Sequence, residues 1–341
     1  MALGIVVVVG AAAVVVPLAV NRPVAGTPVA EKVRVDQSPT PAPKCDGAPQ
    51  LTISGSPLAS AAIDQLDDTY QTACPGTTSI FDPVGTGAGI QEFITGEAAM
   101  AVADRPLDET ERANARQRCE IQQLPFVARP VWVLYHLSDV EHLTLDAPTL
   151  AKIFSGAITQ WNDPAITALN PGAGLGALPI TVVGRSTEST VTAAFQQYLT
   201  AVGGWTTGAG PAFTGRATQS ARTEEEALRL VESTDGAIGY RLPAADTKTK
   251  TLRLGSVAPG PVEVLTTINL VLPDVGLELD MAKPYRASEA YPLVIVSYAV
   301  FCANDRTARD YLRSALVTPA GSVALVFPAY EWATRFGDAL Q

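Results

Sequence analysis

From residue 51 onward, short apolar or β-branched runs alternate with stretches whose apolar positions recur at helical spacing. This is the pattern of an α/β protein with a largely parallel sheet. Strands are predicted over 51–54, 78–84 and 98–103, with helices over 59–71 and from 90 onward. Turns rich in glycine separate them: Gly55-Ser56-Pro57 after the first strand and Gly85-Thr86-Gly87-Ala88-Gly89 after the second. Two strands in near succession, 121–127 and 130–135, suit a chain leaving one lobe for another. A second alternation then begins, with helices over 147–154, 190–199 and 224–232 and a strand over 180–183. The apolar run 292–302 is β-branched enough to carry the chain back as a strand, ahead of a helix over 307–316. The expected organisation is a discontinuous lobe 1, residues 51–129 plus 290–341, with lobe 2, residues 130–289, inserted into it.

Ahead of these lobes, residues 2–20 contain no charge and as a helix would span roughly 28 Å, close to the thickness of a bilayer core. They predict an N-terminal hydrophobic helix, with 1–21 acting as a signal or membrane anchor. Arg22, Lys32 and Arg34 follow, a charge asymmetry that by itself favours the wrong orientation for an N-in anchor, whereas the lack of a small-x-small cleavage site between Leu18 and Ala30 and of a lipobox before Cys45 favours an uncleaved anchor. Residues 22–50, with Pro39-Thr40-Pro41-Ala42-Pro43, lack the periodicity of a packed element and read as a linker. An exported chain held at the cell surface is the expectation, or a secreted one if the N-terminal segment is cleaved.

Composition narrows the function classes. A chain of 341 residues that is 47% hydrophobic can bury a sizeable core. Its net charge of -10 and the lack of any basic run exclude nucleic acid as the expected partner. A small anion is not excluded, because backbone dipoles and one arginine can hold it whatever the global charge. Four cysteines, Cys45, Cys74, Cys119 and Cys302, show no metal-site spacing. In an exported chain they predict two disulfides. Three connectivities are open, with Cys45–Cys74 and Cys119–Cys302 preferred and buried free thiols as the alternative. Two histidines, His136 and His142, with no HExxH, no GxSxG and no phosphate-binding P-loop, point away from an enzyme and from any cofactor.

Ligands of open α/β sheets bind at the carboxyl ends of strands, where helix N-termini present free N–H groups. Four junctions qualify: Gly55-Ser56-Pro57-Leu58, Gly85 to Gly89, Asp104-Arg105, and Arg185-Ser186-Thr187-Glu188-Ser189-Thr190. Hydroxyls, helix starts and an arginine that can grip two oxygens suit a tetrahedral oxyanion. Each junction alone has a plain reading as well, as an N-cap, a turn, or an Arg185–Glu188 pair.

Ile153-Phe154-Ser155-Gly156-Ala157-Ile158-Thr159-Gln160-Trp161-Asn162-Asp163 resembles the I-(F/Y)-x-G-x-I-x-x-W-(N/D)-D segment of the phosphate-binding proteins of bacterial ABC transporters. Leu169-Asn170-Pro171 and Gly236-Ala237-Ile238-Gly239-Tyr240 resemble two further segments of that family, and the likeness runs over roughly 51–341. It implies a type II periplasmic-binding-protein fold, two α/β lobes joined by crossing hinge strands and closing over phosphate. It also implies a monomer that delivers its ligand to ABC permease subunits.

Carried over residue by residue, the resemblance assigns Asp104 as the acceptor carboxylate, Thr86 as a hydroxyl and N–H donor, and Arg185 as the guanidinium that forks onto oxygens. Ser189, Thr190 and Val191 fall on the family's next helix start. A carboxylate facing an anion favours a ligand that still carries a proton, hydrogen phosphate over sulfate. Three positions depart from the pattern. Pro57 replaces a residue that supplies a hydroxyl and an N–H, leaving Ser56 and the Leu58 N–H to substitute. Thr187 stands where an aspartate orients the arginine, and Glu188 where the family has glycine. The alternative is an orphan or sensor relative of the same fold with altered or lost oxyanion binding.

Overall fold

The computed structural model describes residues 43–243, 249–260 and 290–317. The expected helix over 1–21 and most of the linker over 22–50 lie outside the described residues, as do 244–248, 261–289 and 318–341 of the expected lobes.

Two five-stranded sheets form the framework. The first contains β1 (Gln50–Gly55), β2 (Thr78–Asp82), β3 (Met100–Ala103), β4 (Ile121–Pro130) and β12 (Val294–Cys302), in the order β2-β1-β3-β12-β4. The second contains β5 (Trp132–His136), β7 (Thr181–Arg185), β8 (Gln219–Ala221), β9 (Ala237–Arg241) and β10 (Lys250–Thr251), in the order β10-β5-β9-β7-β8. Short β6 (Thr144–Leu145) and β11 (Arg253–Leu254) pair separately. A largely parallel sheet was the expectation, and both sheets are mixed. In the first, β1 is parallel to β2 and β3, but β12 is antiparallel to β3 and β4. In the second, β9 is parallel to β7 and antiparallel to β5. The antiparallel members are strands that bring the chain in or out, which need no helical crossover.

The crossover is narrow. Only Val131 separates β4 from β5, and its N–H donates to the Leu293 carbonyl while its own carbonyl accepts from Tyr291 Oη. The outgoing and returning strands therefore cross side by side.

Helices cover the first sheet. The 14-residue α1 (Ser60–Ala73) buries Ile63, Leu66 and Tyr70 against Leu51, Ile53 and Phe301. The last helix among the described residues, α8 (Arg306–Val317), adds Tyr311 and Leu312 to the same cluster. On the other face, α2 (Thr86–Thr95) packs Ile90 and Phe93 over Ala101 and Val300, beside α3 (Glu109–Arg118). Helix α2 starts at Thr86 rather than near 90, so the glycines lie inside its first turn. The reason is a backbone contact: a Cβ on Gly89 would sit 2.4 Å from the Gly55 Cα, and Gly55 itself has φ +148°. Two glycines let the helix lie directly on the end of β1.

The second sheet packs with α4 (Ala147–Ser155), α5 (Pro164–Leu169), α6 (Thr190–Val202) and α7 (Glu224–Ser233). Two segments that carried the family resemblance meet here. Trp161 is fully buried and its Nε1–H donates to the carbonyl of Gly236 at 3.0 Å, where φ is +84°. The conspicuous tryptophan is a core residue.

Cys45 is joined to Cys74 and Cys119 to Cys302, one of the three connectivities open from sequence. The first bond ties the residues before β1 to the end of α1. The second ties the end of α3 to the end of β12.

Candidate functional site

The site grows from the carboxyl end of the first sheet. Strand β3 is buried along its whole length and ends by placing Asp104 beside the ends of β1 and the start of α2. Ser56, the residue after β1, is 1% exposed, and its hydroxyl donates to Asp104 Oδ2 at 2.5 Å. From β12, the buried Ser297 hydroxyl donates to Oδ1 at 2.7 Å. Thr86 Oγ1 accepts the Asp104 backbone N–H at 3.1 Å and lies 3.5 Å from Oδ2. Three hydroxyls from three elements thus converge on one carboxylate. Burial pushes the Asp104 carboxyl above the usual carboxylate range, opposed by the bonds from Ser56, Ser297 and Thr86 and by the charge of Arg129.

Helix α2 contributes an open N-terminus, since its N-cap Gly85 offers no side chain to the first N–H groups. Pro57 costs the fold little, while it still withholds from a ligand the hydroxyl and N–H that the family pattern supplies. It opens a single 3-10 turn, Pro57–Ala59, where an N–H would lack an internal partner in any case.

A cavity of about 500 Å³ lies over this carboxylate. Thr86 and Asp104 line it together with Thr190 at the start of α6 and residues 292–296 of the returning segment. Of the eight residues expected to touch the ligand, Ser56, Thr86 and Asp104 are thus brought together, and Thr190 faces them across the cavity.

The others are deployed differently. The Leu58 N–H donates to Ser56 Oγ and the Val191 N–H to Ser189 Oγ, each at 3.1 Å, so both expected backbone donors cap their own turns. Arg185, at the end of β7, is turned to Glu224, the first residue of α7, with which its Nη1 forms an ion pair. Its Nη2 donates to the Arg222 carbonyl at 2.9 Å and reaches Thr187 Oγ1 at 3.4 Å. The carboxylate missing at position 187 is therefore supplied from α7. Glu188, which could have paired with Arg185, is exposed and makes no ion pair with it.

Three residues at this site were not singled out from sequence. Ser297 is the only Ser or Thr in the apolar run 292–302, and Arg129 the only charge between Ile121 and Tyr135. A lone polar residue in a buried strand is the signal that could have found them. Glu224 carries no such signal, since Glu224-Glu225-Glu226 reads as an ordinary acidic first turn.

Fold and site together define a two-sheet α/β architecture with a cavity at the strand ends, lined in part by Thr86, Asp104 and Thr190. The model of the PBP superfamily domain matches residues 37–316. Phosphate-binding protein PstS 3 of Mycobacterium leprae is 34% identical over 295 residues, covering 80% of each chain. PstS 2 of Mycobacterium tuberculosis is 33% identical over 315 residues, covering 86% of this chain and 84% of its own. The chain belongs to the PBP superfamily and, within it, to the family of PstS phosphate-binding proteins. Solved structures share the fold at lower identity. An ABC-type phosphate transport receptor from Vibrio cholerae superposes with TM-score 0.55 at 18% identity, over 77% of this chain and 92% of its own. A periplasmic phosphate-binding protein bound with phosphate, PfluDING, gives 0.59 at 20% identity, over 84% and 92%.

Proposed function

We propose that this chain is an extracytoplasmic solute-binding protein that captures inorganic phosphate as hydrogen phosphate and hands it to an ABC permease. Asp104 carries the reading. Its half-buried carboxylate already receives the hydroxyls of Ser56 and Ser297 and lies on the cavity wall. An ionised carboxylate facing an anion is favourable only where the anion brings a proton to share, which hydrogen phosphate does and sulfate at neutral pH does not.

The capture is read as closure of two lobes, 51–129 with 290–341 against 130–289, about the paired crossing at Val131 and Leu293. Thr86 and the α2 N-terminus serve from one side, and Thr190, Ser189 and Arg185 from the other. Two disulfides suit an oxidising location outside the cytoplasm, with the segment over 1–21 as tether. Binding rather than catalysis is the proposed role.

Calorimetric titration of the purified chain with phosphate, sulfate and arsenate across pH 5 to 9 tests this. Saturable phosphate and arsenate binding with sulfate excluded is expected. One observation favours a second reading, a relative with altered ligand: the terminal nitrogens of Arg185 are already engaged by Glu224, Arg222 and Thr187. Absence of heat with all three anions would establish it, and phosphatase turnover above a protein-free control would overturn both.

A further inference from the structure

We infer that Arg129 is a positioning and specificity-determining residue of the anion site: its guanidinium, added to the hydroxyls of Ser56, Ser297 and Thr86, is the counter-charge that helps keep half-buried Asp104 a carboxylate, which then demands a proton from the ligand. The inference rests on the phosphate reading above.

Arg129 sits near the end of β4, opposite Ile295 of β12, where the strands cross. It is half-buried and makes no ion pair with any described residue. Its Nη1 donates to the Leu58 carbonyl at 2.6 Å, and its buried Nε has no partner among the described residues. An arginine in this setting is costly unless its charge serves something nearby. The Leu58 turn is the one capped by Ser56, whose hydroxyl holds Asp104, so Arg129 also braces that contact mechanically.

Two residues from Val127, and so on the same face of β4, Arg129 stands beside Ser297, the partner of Val127 in the register, whose hydroxyl holds Asp104. The carboxylates that bear on Arg129 are Asp104 and Glu224. Glu224 is already matched by Arg185. Asp104 is faced by the hydroxyls of Ser56, Thr86 and Ser297, and among the described residues Arg129 is the cation that bears on it. Its chain neighbour Arg105 is forked onto Glu111, both contacts at 2.7 Å. The four charges of Asp104, Arg129, Glu224 and Arg185 cancel. Without Arg129 the ligand-free site would carry a net negative charge, which burial would relieve by protonating Asp104. A protonated Asp104 can donate to a fully ionised oxyanion, and discrimination between phosphate and sulfate would fade.

The test uses the full chain with ¹³C-labelled aspartate, the Asp104 carboxyl signal being assigned by its loss in Asp104→Asn. Its titration is followed without ligand in wild type, Arg129→Met and Arg129→Lys, and phosphate and sulfate are titrated calorimetrically at pH 5 and pH 8. Arg129→Met should move the Asp104 titration to higher pH, weaken phosphate at least tenfold and shrink the phosphate preference over sulfate at pH 5 at least tenfold. Arg129→Lys, which keeps the charge, should hold the titration near wild type and remains informative should the Met variant fail to fold. An unmoved Asp104 titration in Arg129→Met, or a Lys variant indistinguishable from Met, overturns the inference. Wild type that binds neither anion overturns the phosphate reading and the selectivity role together, while the ligand-free titration still decides whether Arg129 governs Asp104.

Discussion

Arg185 and Glu224 form an ion pair across 39 residues of sequence, the guanidinium at the end of β7 meeting the carboxylate that opens α7. Glu224 Oε2 also accepts the Leu242 N–H at 3.0 Å, so one side chain ties α7, β7 and the residue after β9. The position where the family resemblance implies an aspartate, 187, holds a threonine whose hydroxyl donates to the Arg222 carbonyl.

Removing that carboxylate should therefore loosen both fold and site. Glu224→Gln leaves a mostly buried guanidinium without its counter-ion and should cost about 3 kcal/mol of stability in a denaturant titration. Phosphate affinity should fall about tenfold as Arg185 loses its orientation. Adding Thr187→Asp in the same chain places a carboxylate two residues from Arg185 and should restore most of the affinity. If it does not, Glu224 is doing more than aiming the arginine.

Asp104→Asn should abolish phosphate binding and yet stabilise the ligand-free protein. Burial raises the Asp104 pKa in the folded state above its unfolded value. The folded state then binds the proton more tightly, so stability falls as pH rises from the ordinary carboxylate range through the raised value. Melting at pH 7 in phosphate-free buffer should show the Asn variant about 2 °C higher, a shift of the size ~1 kcal/mol produces in a large domain. The gap should close toward pH 3, where wild-type Asp104 is also neutral. A lower melting point at pH 7 would mean that the hydroxyls of Ser56 and Ser297 outweigh the cost of burial.

The two disulfides should contribute unequally. Cys119–Cys302 bridges a separation of 183 residues and Cys45–Cys74 one of 29. Chain-entropy arguments give about 5 and about 3.5 kcal/mol for loops of these lengths. Serine pairs at 119 and 302 should lower the melting temperature more than serine pairs at 45 and 74, without changing anion selectivity. Equal effects would place the balance in native-state packing rather than in the unfolded chain.

Trp161→Ala should cost about 3–5 kcal/mol, the loss typical of a buried large aromatic. It also leaves the Gly236 carbonyl without the indole N–H. Because Trp161 does not line the cavity, the folded fraction should keep its preference for phosphate over sulfate. A changed preference would assign this segment a part in the site.

Much of the candidate site was legible because its parts are local. Asp104 follows a short apolar strand, Thr86 opens a helix behind glycines, and Ser189 precedes a helix as an N-cap, all features written into a few consecutive residues. Less legible was what each group does once folded. Whether the N–H of Leu58 and of Val191 faces a ligand or its own cap depends on the rotamers of Ser56 and Ser189, which sequence spacing does not specify. The start of α2 was placed too late because glycines usually mark a turn, whereas here Gly89 is needed inside the helix to let it touch Gly55.

By itself the sequence determined the alternation of strands and helices and the residue types gathered at the strand ends, because these follow from side-chain periodicity and capping chemistry within a few residues, and its resemblance over segments such as 153–163 and 236–240 pointed to the family. Only the tertiary structure decided the partners. Ser297 reaches Asp104 across 193 residues because β12 returns antiparallel beside β3, with Tyr298 opposite Ala103. Arg129 comes to stand near the same carboxylate because β4 pairs with the other edge of β12. Contacts of that span depend on strand order and register, which are set by how the whole chain packs its apolar faces and not by any segment alone.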